Sequence, residues 1–313
     1  MLTRRDILKA LAAFGITSTA FGSYALAEPF RDVVTRYALT PNGWPPGLKL
    51  RLAIIADLHA CDPWTSAARI EQLVAHTNAL LPDATLLLGD YVAGYRIARF
   101  GRPVPHRVWA RALAGLKAPL GVHAVLGNHD WWEDHEVQRR GKGPVAAGLA
   151  LEAAGIPVYE NKAVRLLKDG KPFWIAGLGD QWAFWPKDKD YQRFVSHGKK
   201  NYTGVHDLAG TLAQVTDDAP VILMAHEPDI FPLVPARVAL TLSGHTHGGQ
   251  VRLFGYAPVV PSRYDNRYVY GHVVEGNRNL IVSAGLGLSG YPIRFGVPPE
   301  IVVVELGGDV ATS

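Results

Sequence analysis

Short apolar runs recur along this chain, each closed by a polar or glycine-containing turn. Leu50–Ala56 is apolar at every position but Arg51, which predicts a buried strand. Thr85–Leu88 and Val122–Leu126 read the same way. Between the first two, Ser66–Leu81 places Ile70, Leu73, Val74, Thr77 and Leu80–Leu81 on one helical stripe, ended by Pro82. Val108–Leu116 and Val145–Ala154 predict two further helices, the second stopped at Gly155. Strands alternating with helices predict an α/β arrangement, whose sites lie outside the carboxyl ends of the strands.

The pattern changes in the second half. Val164–Leu167, Phe173–Ala176, Val221–Met224, Ala239–Leu242, Asn279–Ser283 and Ile301–Glu305 predict short strands. Little helix intervenes, only residues 205–216 and a turn near Ile230, so a second sheet packed face to face with the first is expected. Pro41, Pro45 and Pro46 disfavour helix in residues 28–48, which read as an irregular or extended lead-in. No repeat, low-complexity tract or Pro/Gly linker divides the remainder, and residues 49–313 are expected to form one domain.

The first 27 residues look like an export signal. Thr3-Arg4-Arg5-Asp6-Ile7-Leu8-Lys9 resembles the twin-arginine motif, and a short apolar stretch, Ala10–Ala27, follows. Ala25-Leu26-Ala27 fits a cleavage site before Glu28. A retained membrane anchor is the competing reading, weakened by Gly15, Thr17, Ser18, Thr19, Gly22 and Ser23. The resemblance implies the twin-arginine machinery as a partner and a periplasmic or cell-envelope location, membrane-anchored if the signal is kept.

Composition narrows the function. The chain has 313 residues, 48% of them hydrophobic, enough for one large α/β domain. Its 32 Lys+Arg against 28 Asp+Glu fall to 29 against 27 once the first 27 residues are set aside, a nearly balanced surface. No basic stripe with interleaved aromatics points to nucleic acid. Cys61, the only cysteine, excludes an intramolecular disulfide. It reads as a packed thiol, with redox or metal sensitivity as the alternative.

Candidate chemistry gathers at the ends of the apolar runs. Asp57-Leu-His59, Gly89-Asp90, Gly127-Asn-His-Asp130, His226 and Gly244-His-Thr-His247 each follow a predicted strand. Asp57 and His59, two apart in an extended segment, point to one side. Asp90 has two oxygens, suited to bridging two cations. Asn128 offers a neutral oxygen, and His226, His245 and His247 offer imidazoles that suit Zn, Fe or Mn. Gly89, Gly127 and Gly244 remove side chains where backbones crowd.

In this order, D-x-H, G-D, G-N-H-D, H, G-H-T-H, the segments resemble the calcineurin-like metallophosphoesterases. The similarity spans nearly all of the chain after the signal. His245-Thr-His-Gly-Gly-Gln250, Ser283-Ala-Gly-Leu-Gly-Leu-Ser289, Arg294-Phe295 and Pro298-Pro-Glu-Ile301 look like one exported bacterial branch, of YkuE/YaeI type. The resemblance implies a four-layer α/β/β/α sandwich of two mixed sheets. It implies that Asp57, His59 and His247 bind one metal, that Asn128, His226 and His245 bind a second, and that Asp90 bridges them. His129 would face the substrate and protonate or stabilise the leaving oxygen. A hydroxide between two divalent ions would attack phosphorus in line.

Two positions depart from other branches. Many phosphoprotein phosphatases carry an Asp three residues after the bridging one to orient the catalytic His. Here that position is Ala93, so His129 is oriented otherwise or not at all; Asp130 adjoins it. Purple acid phosphatases carry an iron-binding Tyr at the same position, whereas Tyr91 lies one residue after Asp90.

Trp131-Trp132 and the patch Gln181-Trp182-Ala-Phe184-Trp185 read as core packing or as an apolar lip for a lipid- or sugar-linked substrate. Arg96, Arg99 and Arg102 read as a solvated loop or a clamp for a second phosphate. Lys187–Asp190 reads as a solvated turn, and His76, His106, His123, His135, His197, His206 and His272 as surface or structural. The expected function is a dimetal phosphodiesterase or pyrophosphatase acting on a cell-envelope or nucleotide-linked substrate. A phosphomonoesterase shares the same residues, and a non-catalytic metal-binding scaffold is the remote alternative.

Overall fold

The computed structural model describes residues 21–186 and 201–308. The twin-arginine motif, Lys187–Asp190 and His197 lie outside the described residues. The elements are β1 (Val33–Leu39), β2 (Leu50–Ile55), β3 (Cys61–Asp62), α1 (Ala67–Ala79), β4 (Ala84–Leu87), β5 (Arg102–Pro103), α2 (His106–Leu113) and β6 (Val122–Ala124). They continue with α3 (Asn128–Trp132), α4 (His135–Arg140), α5 (Ala146–Ala153), β7 (Lys162–Lys168), β8 (Lys171–Gly177) and α6 (Leu208–Ala213). The chain ends in β9 (Val221–Met224), β10 (Val238–Ser243), β11 (Gly271–Glu275), β12 (Arg278–Val282) and β13 (Glu300–Leu306).

Two mixed sheets stack face to face. The first runs β1-β13-β2-β4-β6 and the second β11-β12-β10-β9-β8-β7. In the first, β2, β4 and β6 are mutually parallel. In the second, β8, β9, β10 and β12 are parallel. Side-chain parity sorts residues into layers. Leu52, Ile54, Ile222, Met224, Leu240, Leu242 and Ile281 fill the space between the sheets. Ile55, Leu87 and Ala124 turn the other way, onto a layer containing Trp109, Leu113 and Leu151 from α2 and α5 and Ile70 and Leu73 from α1. Val221, Leu223, Leu280 and Val282 face outward and are covered by Ile230, Phe231 and Tyr268, with Leu208 and Leu212 of α6 beside them. This is the expected four-layer α/β/β/α sandwich, with a thin outer layer on the second sheet.

The helix predicted over 66–81 runs 67–79, with the Ser66 side chain accepting from the Arg69 N–H at its start. Leu81 leaves the stripe and is exposed. Residues 205–216 hold only the six-residue α6. Within the segment read as a lead-in, Val33–Leu39 pairs in parallel with β13. Residues 21–27, inside the stretch read as a signal, are helical. Phe21 and Tyr24 pack on Phe295, both at 5.4 Å between ring centroids.

Leu242, wholly buried between the sheets, is an energetic anchor. Leu242→Ala is expected to cost about 2–5 kcal/mol, read as a lower urea midpoint at unchanged slope.

Candidate metal centre

Each candidate ligand follows a strand whose carboxyl end reaches the same edge of the sandwich: β2, β4 and β6 of one sheet, β9 and β10 of the other. Just past these ends the backbone turns sharply. Asp57, His59, Asp90, His245 and His247 all have positive φ, between 39° and 69°. That conformation costs an L-residue roughly 1 kcal/mol or more, and here it swings side chains inward. All seven predicted ligands are buried.

The donor atoms form two groups. Asp57, His59 and His247 each offer one atom within 4.8 Å of the others, and so do Asp90, His226 and His245. His59 Nε2 lies 3.0 Å from His247 Nε2, and His247 Nε2 is 3.6 Å from Asp57 Oδ1. Asn128 Oδ1 is 2.8 Å from His245 Nδ1 and 3.2 Å from His226 Nε2. One oxygen, Asp90 Oδ2, lies 3.4 Å from His59 Nε2 and 3.3 Å from His226 Nε2. Asp90 therefore stands between the groups, where a bridging carboxylate is expected.

The surrounding backbone sets which nitrogen faces inward. His59 Nδ1 donates to the Val92 carbonyl at 3.1 Å and His226 Nδ1 to that of Leu88 at 2.6 Å. His245 Nε2 donates to the Pro261 carbonyl at 2.8 Å. Each ring then presents a lone pair to its group, as metal-ligating histidines do. Burial pushes His59 down to about 3 and takes His245 and His247 well below the usual range, keeping the rings neutral. Burial also lifts the Asp57 carboxyl to about 7. At Asp90 burial is outweighed by His226, His129 and His59, which hold its carboxyl well below the usual range. The donor chemistry fits two borderline metal ions.

Two glycines show how tight the packing is. A Cβ on Gly127 would stand 2.5 Å from Asp90 Oδ1 and 2.6 Å from the His226 ring. One on Gly244 would stand 2.5 Å from Asp57 Oδ2.

Three residues to which sequence reading assigned no such role complete the centre. Asp130 turns away from His129. Its carboxylate accepts from the N–H groups of Asp90, Tyr91, Val92 and Gly127 at 2.9–3.1 Å. It thus ties two ligand loops together. Glu133 stands four residues after His129, and its Oε1 is 3.2 Å from His129 Nδ1. The same oxygen accepts from the Tyr95 N–H at 3.0 Å. This contact occupies the role that Ala93 cannot fill, and helical i, i+4 spacing was its one sequence signal. Buried Arg294 donates to the carbonyls of Ala284, Gly285, Gly287 and Val297, and its Nη2 lies 3.4 Å from His247 Nδ1. It braces the loop behind that imidazole.

A cavity of about 420 Å³ opens over the centre, with Asp90, Asn128, His129, His245 and His247 in its floor and walls. Trp132, Trp182, Trp185, Val251, Val259 and Ile293 give it an apolar lining, with Trp132 stacked on Trp185 at 4.0 Å. Trp182 meets the His245 ring edge-on at 4.5 Å, while Trp131 belongs to the helix-side core. Arg96 lines the cavity; Arg99 and Arg102 do not. Cys61 is buried with Ala93, Ile97 and Leu288, and burial raises its thiol to about 11. His123 is structural, bonded to the Leu120 carbonyl and the Tyr159 hydroxyl.

Comparison with known proteins agrees with this geometry. Residues 50–249 match the family model described as calcineurin-like phosphoesterase. The metallophosphoesterase YkuE of Bacillus subtilis is 30% identical over 97% of this chain and 98% of its own length. The phosphodiesterase YaeI of Escherichia coli is 29% identical over 98% of this chain and all of its own. A solved dimetal phosphatase from Danio rerio, 14% identical, covers 76% of this chain and 88% of its own with a TM-score of 0.44.

Asp130→Asn puts an NH2 against backbone N–H groups. It is expected to lose about 2–3 kcal/mol and to lower the thermal midpoint, while a surface control such as Asp169→Asn leaves the midpoint in place.

Proposed function

The chain belongs to the calcineurin-like phosphoesterase family, and from that premise we propose that this metal-dependent phosphoester hydrolase is a phosphodiesterase or pyrophosphatase of the cell envelope. The observation that carries the reading is the shape and polarity of the cavity. Its lining beyond the candidate ligands is largely apolar and its volume is about 420 Å³, room for the organic groups of a diester. Among the described residues Arg96 is its only Lys or Arg, a sparse complement for the dianion of a terminal phosphate. The Escherichia coli relative is itself named a phosphodiesterase. The twin-arginine motif and the apolar stretch after it support export, with that machinery as partner.

Asp57, His59 and His247 would hold one cation, Asn128, His226 and His245 the second, and Asp90 both. When bound, the pair supplies Lewis acidity and an activated water. The remaining work falls to the chain. His129 lines the cavity with Nδ1 on Glu133, leaving Nε2 to give its proton to the departing oxygen. Burial disfavours charge on His129, but Asp90 and Glu133 outweigh it and raise its proton affinity. The apolar walls exclude bulk water and hold the ester's organic groups.

With Mn(II), the protein is expected to hydrolyse bis-p-nitrophenyl phosphate faster than the monoester; the reverse order of kcat/KM would favour a phosphomonoesterase. Asp90→Ala is expected to lose both metals, by elemental analysis, together with turnover. His129→Ala should keep its metals and lose on the order of 100- to 10,000-fold in kcat.

Glu133→Gln tests the support of His129 separately. It is expected to lower kcat on the order of tenfold, with KM and metal content little changed. The loss should be larger for an alkyl leaving group than for p-nitrophenolate, which departs without a proton. Equal losses for both would mean that Glu133 serves only the fold.

A further inference from the structure

The mouth of the cavity is framed by side chains that a water-facing surface does not need. Phe254 is 110% exposed, and Val259, Tyr291, Tyr256 and Phe100 are each more than half exposed. Phe254 sits in a tight turn closed by hydrogen bonds between Leu253 and Tyr256 in both directions. Its φ is +51°, where glycine or asparagine serves better than a bulky residue. The turn thus holds a phenyl ring outward at a position that favours a small or polar residue.

These groups form one continuous rim. The Arg252 N–H donates to the Phe295 carbonyl at 2.7 Å, joining the turn to the 291–295 loop. Tyr291 meets Phe100 at 6.2 Å, and Tyr291 and Val259 line the cavity itself. Residues 21–27 lie on the same rim through Phe21 and Tyr24, with Ala25 accepting from the Arg294 N–H. Residues 21–27 therefore meet the domain beside the mouth.

The loops of this face are basic. Residues 91–105, 248–264 and 284–299 contain no Asp or Glu. They carry Arg96, Arg99, Arg102 and Arg263, all exposed, the half-buried Arg252 and the buried Arg294, with Arg102 facing Asp62 at 3.8 Å. The rest of the chain after residue 27 has 23 Lys+Arg against 27 Asp+Glu, so the basic bias is local. Aromatic rings interleaved with arginines suit the boundary between lipid headgroups and acyl chains. A protruding ring enters lipid without a matching pocket, whereas a protein partner would need one.

We infer that this rim docks on an anionic lipid bilayer and sets the cavity mouth against the headgroups. Docking does not depend on the diester reading, and the two fail separately because docking is measured without turnover. The test uses the full chain with Phe254→Cys carrying a nitrobenzoxadiazole label; the one native cysteine, Cys61, is buried. Vesicles of phosphatidylglycerol and phosphatidylcholine are expected to give a blue shift and a several-fold gain in emission, reduced by high salt and absent with phosphatidylcholine alone. The same label at Leu149→Cys, exposed on α5, is expected to stay unchanged. A label at 254 that remains in water on vesicles carrying the bound chain would assign attachment to the N-terminal stretch and overturn the proposal. So would failure to bind, or a shift that follows protein concentration without lipid, which would mark a contact between two copies.

Discussion

The convergence of seven buried donors at one edge of the sandwich is the constraint on which this architecture turns. Seven buried side chains bring lone pairs or negative charge to within a few ångströms of one another. The scaffold holds this convergence by fixed means: parallel strands ending at one edge, left-handed backbone at five ligands, and carbonyls that dictate which nitrogen of three imidazoles turns inward. Asp130 brings four amide hydrogens to one carboxylate and joins the loops of Asp90 and Asn128. These fixed elements hold the ligands at set spacings, on which the catalytic use of such a centre depends.

Much of this was legible because ligand chemistry is local in sequence. Each ligand lies within four residues of the end of a strongly apolar strand, and central strands buried on both faces give a clear apolar run. The elements that escaped are those with weak patterns. β1 and β11 are edge strands with mixed exposure, so neither shows an unbroken run or clean alternation. β1 is also fixed by β13, more than 260 residues away. Helices α3 and α4 have five and six residues, too few for periodicity to register.

The supporting residues illustrate a second limit. Glu133 was within reach of sequence reasoning, because helix α3 places it one turn after His129. Arg294 was not, since its value lies in carbonyls of a loop that folds back on it. The aromatic wall is intermediate. Its residues are conspicuous in sequence, but whether a tryptophan fills the core or faces a cavity depends on how segments near 132 and 182 meet. Here both Trp131 and Trp132 pack in the helix-side core, and Trp132 also lines the cavity.

The order of the first sheet bears on how the polypeptide is made. β13, last in sequence among the described strands, is inserted between β1 and β2, the first two of them. Until it arrives, β2 lacks a neighbour on the side away from β4, and β1 has no partner among the described strands. Closure of this sheet therefore waits on β13, through contacts more than 260 residues apart in sequence. Until that strand is in place, Val33–Leu39 has no seat in the sheet and stays open to whatever factors read nascent chains.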